Sequence, residues 1–161
     1  MILTDYLKSQ RDITWDFAKQ CGVEHGVIRL PEDNAFDLTN ESHWETVYNN
    51  FINFGIKPII IEPMPNEVHD HIKAGDSLRD ESVEKVIKMF PIMEKLGIET
   101  ICFNFMAHIG WLRTANDIKE RGDALVTGFN IEDFVSTDEK ITASQLWDNY
   151  NYFIEAVIPY A

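Results

Sequence analysis

The stretch KPIIIEPMP, residues 57–65, decides the fold class of this chain. Its three consecutive isoleucines would place apolar side chains on both faces of a strand, and the prolines that follow would stop that strand. Strands of parallel sheets are covered on both faces, so they are continuous apolar runs instead of alternating ones. We therefore predict that this stretch forms a buried strand of a parallel α/β sheet.

Three further apolar runs are typical of strands, namely ILTDYL (2–7), HGVIRL (25–30) and IETICFNFM (98–106). Each of the four predicted strands is followed, directly or after a polar stretch, by an amphipathic segment, which makes a βαβα series and indicates a parallel sheet. A spacing of roughly 25 to 45 residues per unit suits an open doubly wound sheet or a (β/α)₈ barrel. No glycine fingerprint follows the first strand, which disfavours the open sheets that bind nucleotides.

A complete barrel usually needs about 250 residues, whereas this chain has 161. We therefore expect an α/β fold with about four β/α units, that is, half of a TIM barrel in one partial barrel domain covering residues 1–161. A polar, glycine-containing stretch at about 114–140 is expected to be an inserted loop or small cap.

Helices are predicted between the strands from apolar side chains at helical spacing and from capping residues. The first covers about 12–21. The other three each begin at a Ser or Thr followed three residues later by an acidic residue or glutamine, and glycines end two of them. The predicted caps are Ser42 with Glu45, Ser77 with Asp80 and Thr142 with Gln145, and the closing glycines are Gly55 and Gly97.

The composition excludes several classes of protein. Apolar residues make up 45% and charged residues 25%, as in globular proteins. A net charge of −13 argues against nucleic acid as a partner, because phosphate backbones repel an acidic surface. No run approaches the roughly 20 apolar residues that span a bilayer, and no leader opens the sequence, so we expect no membrane partner and a cytoplasmic location. The two cysteines form neither a disulfide framework nor a metal cluster.

Polar side chains follow the third and fourth predicted strands, at their carboxyl ends. Binding groups of parallel α/β folds gather at this edge of the sheet, so we expect a small-molecule site there. An anionic substrate would need a local basic group, for which Arg113, Lys73 and Arg79 are the candidates. The predicted site residues are Glu62, His69, His71, Asn104, Trp111 and Arg113.

Each of these residues also has a structural alternative. The planar fork of Arg113 suits a carboxylate through two parallel hydrogen bonds, but it could instead pair with Asp117. Trp111 could act as a lid or as a hydrophobic plug. Asn104, which follows an apolar strand, is interpreted as a positioned hydrogen-bonding group.

The segment after the third strand leaves similar choices open. Glu62 could belong to the site, pair with Lys73 or cap a helix. His69 and His71 carry ring nitrogens that Zn or Mn favours, but alternate positions in a loop are also often simply solvated.

Four stretches together resemble the mannonate dehydratase family: IIIEPMP, IKAGDSLRDESV, LGIETICFNFMAHIGWLRT, and ALVTGFN with LWDNYNYFIEAVIP. The specific element is NFM followed by W-x-R-T, and the correspondence runs in order from about residue 12 to 159. This resemblance implies a TIM barrel of the xylose-isomerase-like kind. Family members use Mn²⁺ or Fe²⁺ to dehydrate the sugar acid D-mannonate to 2-keto-3-deoxy-D-gluconate in hexuronate breakdown.

The resemblance also implies roles for individual residues. Glu62, Asn104, Trp111 and Arg113 would line the sugar-acid pocket, and one of His69 and His71 would be the histidine of the strand-three loop.

Two departures from the family pattern affect the expected activity. Gly110 and Ala107 stand where the family has Asp and Pro, so one polar contact is missing and the substrate is in doubt. The metal ligands implied by the resemblance lie on later strands, so we expect no metal on this chain alone and no activity alone.

Whether this chain is an enzyme is therefore open at this stage. We expect a half-barrel to pair its exposed strand edges with a second copy or with a complementing carboxyl-terminal half. One alternative is a sugar-phosphate isomerase or epimerase of the same barrel type. The other is a non-catalytic truncated barrel that self-associates.

Overall fold

A parallel sheet in chain order organises the molecule, which a computed structural model describes at residues 1–33, 35–108, 110–136 and 140–161. The described strands of this sheet are β1 (Thr4–Lys8), β2 (His25–Arg29), β3 (Lys57–Ile61) and β4 (Thr100–Ile101). The described helices are α1 (Ile13–Gln20), α2 (Glu41–Phe54), α3 (Asn66–Ala74), α4 (Arg79–Leu96) and α5 (Ala143–Val157). The predicted parallel α/β fold is confirmed.

The register of the sheet separates a buried face from a partly open one. Leu7 pairs with Ile28 and Ile28 with Ile61, and each of these side chains is at most 1% exposed. When strand order follows chain order, right-handed crossovers place the helices on one face of the sheet, which accounts for this buried row. The neighbouring row points the other way, and its Tyr6 is 43% exposed. Among the described residues the sheet does not close into a barrel.

The core between the sheet and the helices includes two fully buried tryptophans. The ring of Trp15 stacks on Phe51 with 4.0 Å between centroids. Its indole nitrogen donates to the carbonyl of Lys8 at 3.0 Å, and that of Trp44 donates to the carbonyl of Leu38 at 2.9 Å. Because both N–H groups have partners, these large rings contribute apolar burial without an unsatisfied donor.

The helix caps agree only in part with the sequence prediction. Thr142 and Gln145 form the predicted capping box of α5, and Gly55 ends α2 in the left-handed conformation at φ 86°. The box predicted at Ser42 and Glu45 is wrong. Asn40 is the N-cap of α2 instead, because its side chain accepts the backbone N–H of Ser42 at 3.1 Å.

The segment after β3 was expected to be a polar loop, but it contains helix α3. Val68 and Ile72, four residues apart, are fully buried and give this helix an apolar face. A short turn then leads into α4, which begins at Arg79 without a side-chain cap, so the box predicted at Ser77 and Asp80 is also wrong.

The fourth strand is much shorter than predicted, since β4 has two residues instead of the nine of 98–106. Strand β4 pairs with β3 on one side, and no further described strand continues the sheet beyond it. Just after β4, Cys102 still exchanges backbone hydrogen bonds with Ile61 and Met64, at 2.8 and 2.9 Å. The chain then leaves the sheet, which places residues 103–108 at its carboxyl edge.

The stretch predicted as an insertion holds an antiparallel hairpin. Its strands are β5 (Ala115–Lys119) and β6 (Leu125–Gly128), which pair with each other and not with the central sheet. The last part of the predicted insertion, residues 137–139, lies outside the described residues. Within the described residues, no helix is both long and apolar enough to cross a membrane.

Candidate functional site

A cleft of about 1030 Å³ opens at the carboxyl edge of the sheet. It is lined by residues at or near the carboxyl ends of the strands of the central sheet, by α3 and by the segment after β4. The sequence rule that placed binding groups at this edge therefore led to a real concavity. Four of the predicted site residues line it: Glu62, His71, Asn104 and Trp111.

Hydrogen bonds hold two of these residues near the ends of the strands, and a third is largely exposed. The N–H of Glu62 donates to the carbonyl of Ile28 at 3.0 Å, which fixes the residue at the sheet edge while its side chain stays exposed. Asn104 accepts the N–H of Met106 at 3.3 Å, so its side chain shapes the segment after β4. Trp111 is 79% exposed, which leaves a large aromatic surface beside the cleft.

The carboxylate of Glu62 also affects its neighbour Cys102 in the cleft wall. Burial raises the pKa of the Cys102 thiol, and the negative charge of Glu62 raises it further. A raised pKa keeps this thiol protonated, so Cys102 is a poor nucleophile and a poor metal ligand in this arrangement.

His71 forms a short contact that the sequence analysis did not predict. Its Nδ1 lies 2.7 Å from Oδ2 of Asp76, which also lines the cleft. The second oxygen of Asp76 accepts the backbone N–H of Leu78 at 2.9 Å. The pKa of Asp76 lies below its ordinary value, mainly because of the hydrogen bond from His71 and also because of the bond from Leu78.

Two cationic side chains line the cleft. Lys73 is 5% exposed, and its Nζ pairs with Asp70 at 2.8 Å. Burial works against the charge of Arg29, but contacts with Tyr6 and Glu32 outweigh this effect and raise the pKa of the guanidinium. Arg29 therefore stays charged, and together with Lys73 it could receive an anionic ligand in a chain of strongly negative net charge.

Arg29, Tyr6 and Asp76 were not predicted as site residues. Arg29 ends the strand within HGVIRL, so the rule that selected Glu62 and Asn104 would also have selected it. Asp76 had no comparable signal in the sequence, because its closeness to His71 depends on the turn after α3.

Two predicted site residues lie away from the cleft. His69 is 1% exposed, and its ring contacts the edges of Phe103 and Phe105 at centroid distances of 5.7 and 5.9 Å. Its ring nitrogens have no hydrogen-bond partner among the described residues, and burial lowers its pKa to about 4. Arg113 is exposed on the hairpin side, where it donates to the hydroxyl of Thr127 at 3.0 Å. The alternative ion pair of Arg113 with Asp117 is not formed in the described part of the chain.

The described residues do not fit a metal centre by themselves. Nowhere in residues 1–33, 35–108, 110–136 and 140–161 do three or more His, Cys, Asp or Glu side chains come together as a ligand set. The two histidines of the HDH stretch do not lie together, because His69 is buried among aromatic rings and His71 faces the cleft. What the cleft does offer is charged groups for a ligand and a histidine–carboxylate pair that can exchange protons.

Comparisons with known proteins agree on one family. The family model for D-mannonate dehydratase (UxuA) matches residues 4–140 of this chain. Mannonate dehydratase 2 of Halalkalibacterium halodurans is 28% identical over 140 residues, which cover 70% of this chain and 40% of that protein. Mannonate dehydratase of Oceanobacillus iheyensis is 28% identical, and the match covers 86% of this chain and 47% of that protein.

The fold is similar to that of a solved relative as well. The crystal structure of mannonate dehydratase from Streptococcus suis serotype 2 superposes with a TM-score of 0.84 at 20% identity. That match covers 100% of this chain and 50% of the solved chain, so this chain spans about half the length of the relatives it matches. Since the family model covers most of the sequence, the chain belongs to the D-mannonate dehydratase family.

Proposed function

We propose that this chain is the amino-terminal half of a mannonate dehydratase TIM barrel and supplies part of its sugar-acid pocket. Residues 1–161 would be one partial barrel domain. The complete enzyme would remove water from D-mannonate and form 2-keto-3-deoxy-D-gluconate in the cytoplasm. The match of the family model over residues 4–140 carries this proposal.

The cleft offers what a sugar acid requires for binding. Arg29 and Lys73 are charged groups for the carboxylate of the ligand, and a guanidinium can contact both oxygens at once. Glu62 can accept hydrogen bonds from sugar hydroxyls, and Asn104 can donate or accept them. The exposed ring of Trp111 can pack against the apolar face of the sugar. Arg29 takes the role that the sequence analysis proposed for Arg113.

The metal of the family, Mn²⁺ or Fe²⁺, would be held by residues outside this chain. The resemblance places the ligands on later strands, and no group of three or more His, Cys, Asp or Glu side chains comes together among the described residues. We expect this chain alone to produce no keto acid from D-mannonate in the presence of Mn²⁺. Clear turnover by the chain alone would contradict the proposed division of the active site.

Exposed apolar side chains near β1 and α1 and on the side of α5 support a partner for this half. Leu3 and Phe17 are 61% and 55% exposed at the β1 edge, and Trp147 and Ile158 are 65% and 63% exposed on the side of α5. Unpaired strand edges and apolar patches of this kind are typical of surfaces that another chain segment covers. We propose that the carboxyl-terminal half of the family fold covers them. In light scattering we expect the chain alone to associate without a defined size, because these surfaces are uncovered. A stable monodisperse monomer would contradict that view, and a defined dimer would indicate a second copy instead.

A matched pair of variants tests the substrate class. We expect D-mannonate to bind the isolated chain weakly, with a dissociation constant of about 1 mM or higher, because half of the pocket is missing. Arg29→Gln should weaken this binding at least about tenfold, the loss of one charge-assisted contact. Arg113→Gln should leave it unchanged, since that side chain lies on the hairpin. The measurement is the chemical-shift titration of the backbone amides by NMR.

Two outcomes of this titration would contradict the proposal. If Arg113→Gln abolished binding and Arg29→Gln did not, the sugar acid would bind elsewhere than in the cleft. If a sugar phosphate bound much more tightly than D-mannonate, the chain would belong to the isomerase or epimerase class instead.

A further inference from the structure

We propose that His71 and Asp76 form an acid–base pair, in which Nε2 of His71 exchanges a proton with a hydroxyl of the bound sugar acid. Asp76 is the positioning residue, because it acts through His71. The identity of the ligand rests on the proposed function, whereas the pairing of the two side chains rests on the structure alone.

The geometry fixes which nitrogen of His71 carries the proton. Asp76 is ionised at neutral pH, since its pKa lies below the ordinary value, and an ionised carboxylate only accepts hydrogen bonds. At 2.7 Å from that carboxylate, Nδ1 of His71 must therefore be the donor. In the neutral ring, Nε2 then has a free lone pair, which can accept a proton from a ligand.

The carboxylate is itself held in place. Oδ1 of Asp76 accepts the N–H of Leu78 at 2.9 Å, and the turn begins at Gly75, which has φ 68° at the end of α3. Both oxygens of Asp76 thus have a partner, one on the histidine and one on the backbone of the turn. A side chain held at both oxygens can orient the imidazole without moving.

The position of the pair in the cleft supports proton exchange with a ligand. The side chain of His71 is 35% exposed, and His71 and Asp76 both line the cleft together with Glu62 and Asn104. His69 on the same helix does not face the cleft. It is buried among aromatic rings, and its ring nitrogens have no hydrogen-bond partner in the described part of the chain. Of the two histidines, His71 is the one that a ligand can reach.

The proposed step is a reversible proton transfer. In one direction the O–H bond of the ligand breaks, its electron pair stays on oxygen, and the proton binds Nε2. The resulting imidazolium is stabilised by the adjacent carboxylate of Asp76. In the other direction Nε2 returns the proton to a hydroxyl oxygen. Nothing is oxidised or reduced, and no further reactant is needed.

The test uses long-range ¹H–¹⁵N correlation NMR of the histidine side chains in the full chain. We expect neutral His71 to carry its proton on Nδ1. In Asp76→Asn, the single amide oxygen can accept the N–H of Leu78, so the amide NH₂ would face His71 and force the proton onto Nε2. Asp76→Glu should restore the Nδ1 proton at least in part. Glu67→Gln, on the exposed side of α3, removes one charge as the matched control and should change nothing.

A second titration adds D-mannonate and follows the same resonances. We expect Nε2 of His71 to shift and the nitrogens of His69 to stay unchanged. If the wild-type ring carried its proton on Nε2, or if Asp76→Asn had no effect on the tautomer, the pairing would be overturned. If cleft amides shifted but Nε2 did not, His71 would have no role in proton exchange while the proposed function stood. If no resonance of the chain responded to D-mannonate, the proposed function would fail, and its ligand with it.

Discussion

Burial of His69 should make the stability of this chain depend on pH. The side chain is 1% exposed, and its pKa falls from an ordinary 6.5 to about 4, first because of burial and second because of the nearby charge of Lys73. The folded state therefore disfavours protonation of this ring. Between pH 6.5 and about 4 the unfolded chain binds the proton that the folded chain does not.

The sign and size of the effect follow from this difference. The folded-state pKa is lowered for a base, so the contribution of neutral His69 to stability is fully present above pH 6.5. It is lost as the pH falls from 6.5 toward 4, at up to about 1.4 kcal/mol per pH unit. The total loss is about 3 kcal/mol, a large part of the stability of an ordinary domain. Protonation would place an unpaired charge between Phe103 and Phe105.

The assay is urea unfolding at several pH values between 7.5 and 4.5. The variant His69→Leu removes the titrating ring, so the difference in free energy of unfolding between variant and wild type cancels the other groups. We expect this difference to grow in favour of the variant by about 2.5 kcal/mol as the pH falls to about 4.5. Tyr160→Ala, an exposed substitution outside the aromatic cluster, is the control and should follow the wild type. Parallel pH profiles of wild type and His69→Leu would refute the reasoning.

Three further predictions concern the free energy of unfolding, measured in urea at pH 7.5. Phe153→Ala should lower it by about 3–5 kcal/mol, because this side chain of α5 is 1% exposed within the aromatic cluster. Its control, Tyr160→Ala, at 61% exposure, should change it by about 0.5 kcal/mol or less. Gly55→Ala should lower it by about 1–2 kcal/mol, because φ is 86° there, but Gly110→Ala should be nearly neutral, since a Cβ at that position meets no atom within 4 Å. Thr142→Ala removes the capping box of α5 and should cost about 1 kcal/mol, with a parallel loss of helical circular dichroism. Equal stability of Phe153→Ala and wild type, a neutral Gly55→Ala, or an unaffected Thr142→Ala would contradict the corresponding packing, backbone or capping argument.

The parallel α/β fold and the edge at which the cleft lies can both be predicted from the amino-acid sequence. A continuous apolar run such as residues 59–61 is typical of strands in parallel sheets, and such sheets collect polar groups where their strands end. The positions of Glu62 and Asn104 follow from that rule, and the motifs around residues 104–114 identified the family. These are local or periodic properties, so they can be recognised without coordinates.

Which of the two arginines lines the cleft is known only from the folded molecule. Arg29 lies at the cleft because β2 pairs with β3, although 27 residues of sequence separate these two strands. Arg113 lies in the family motif, but a hydrogen bond to Thr127 of the hairpin holds it elsewhere. The strand-end rule would have proposed Arg29 beside Arg113, but it could not choose between them, because contacts between segments so far apart in the chain leave no local pattern.

The two histidines of the HDH stretch show the physical reason most directly. The sequence analysis places His69 and His71 in a loop and leaves open which of them is the histidine of the pocket. The stretch is instead part of helix α3, in which residues two apart lie about 200° apart around the axis. His69 therefore turns into the aromatic cluster and His71 turns to the cleft and Asp76. Burial of the apolar face of α3 places His69 in the core and leaves His71 at the cleft. This burial is a property of the folded molecule.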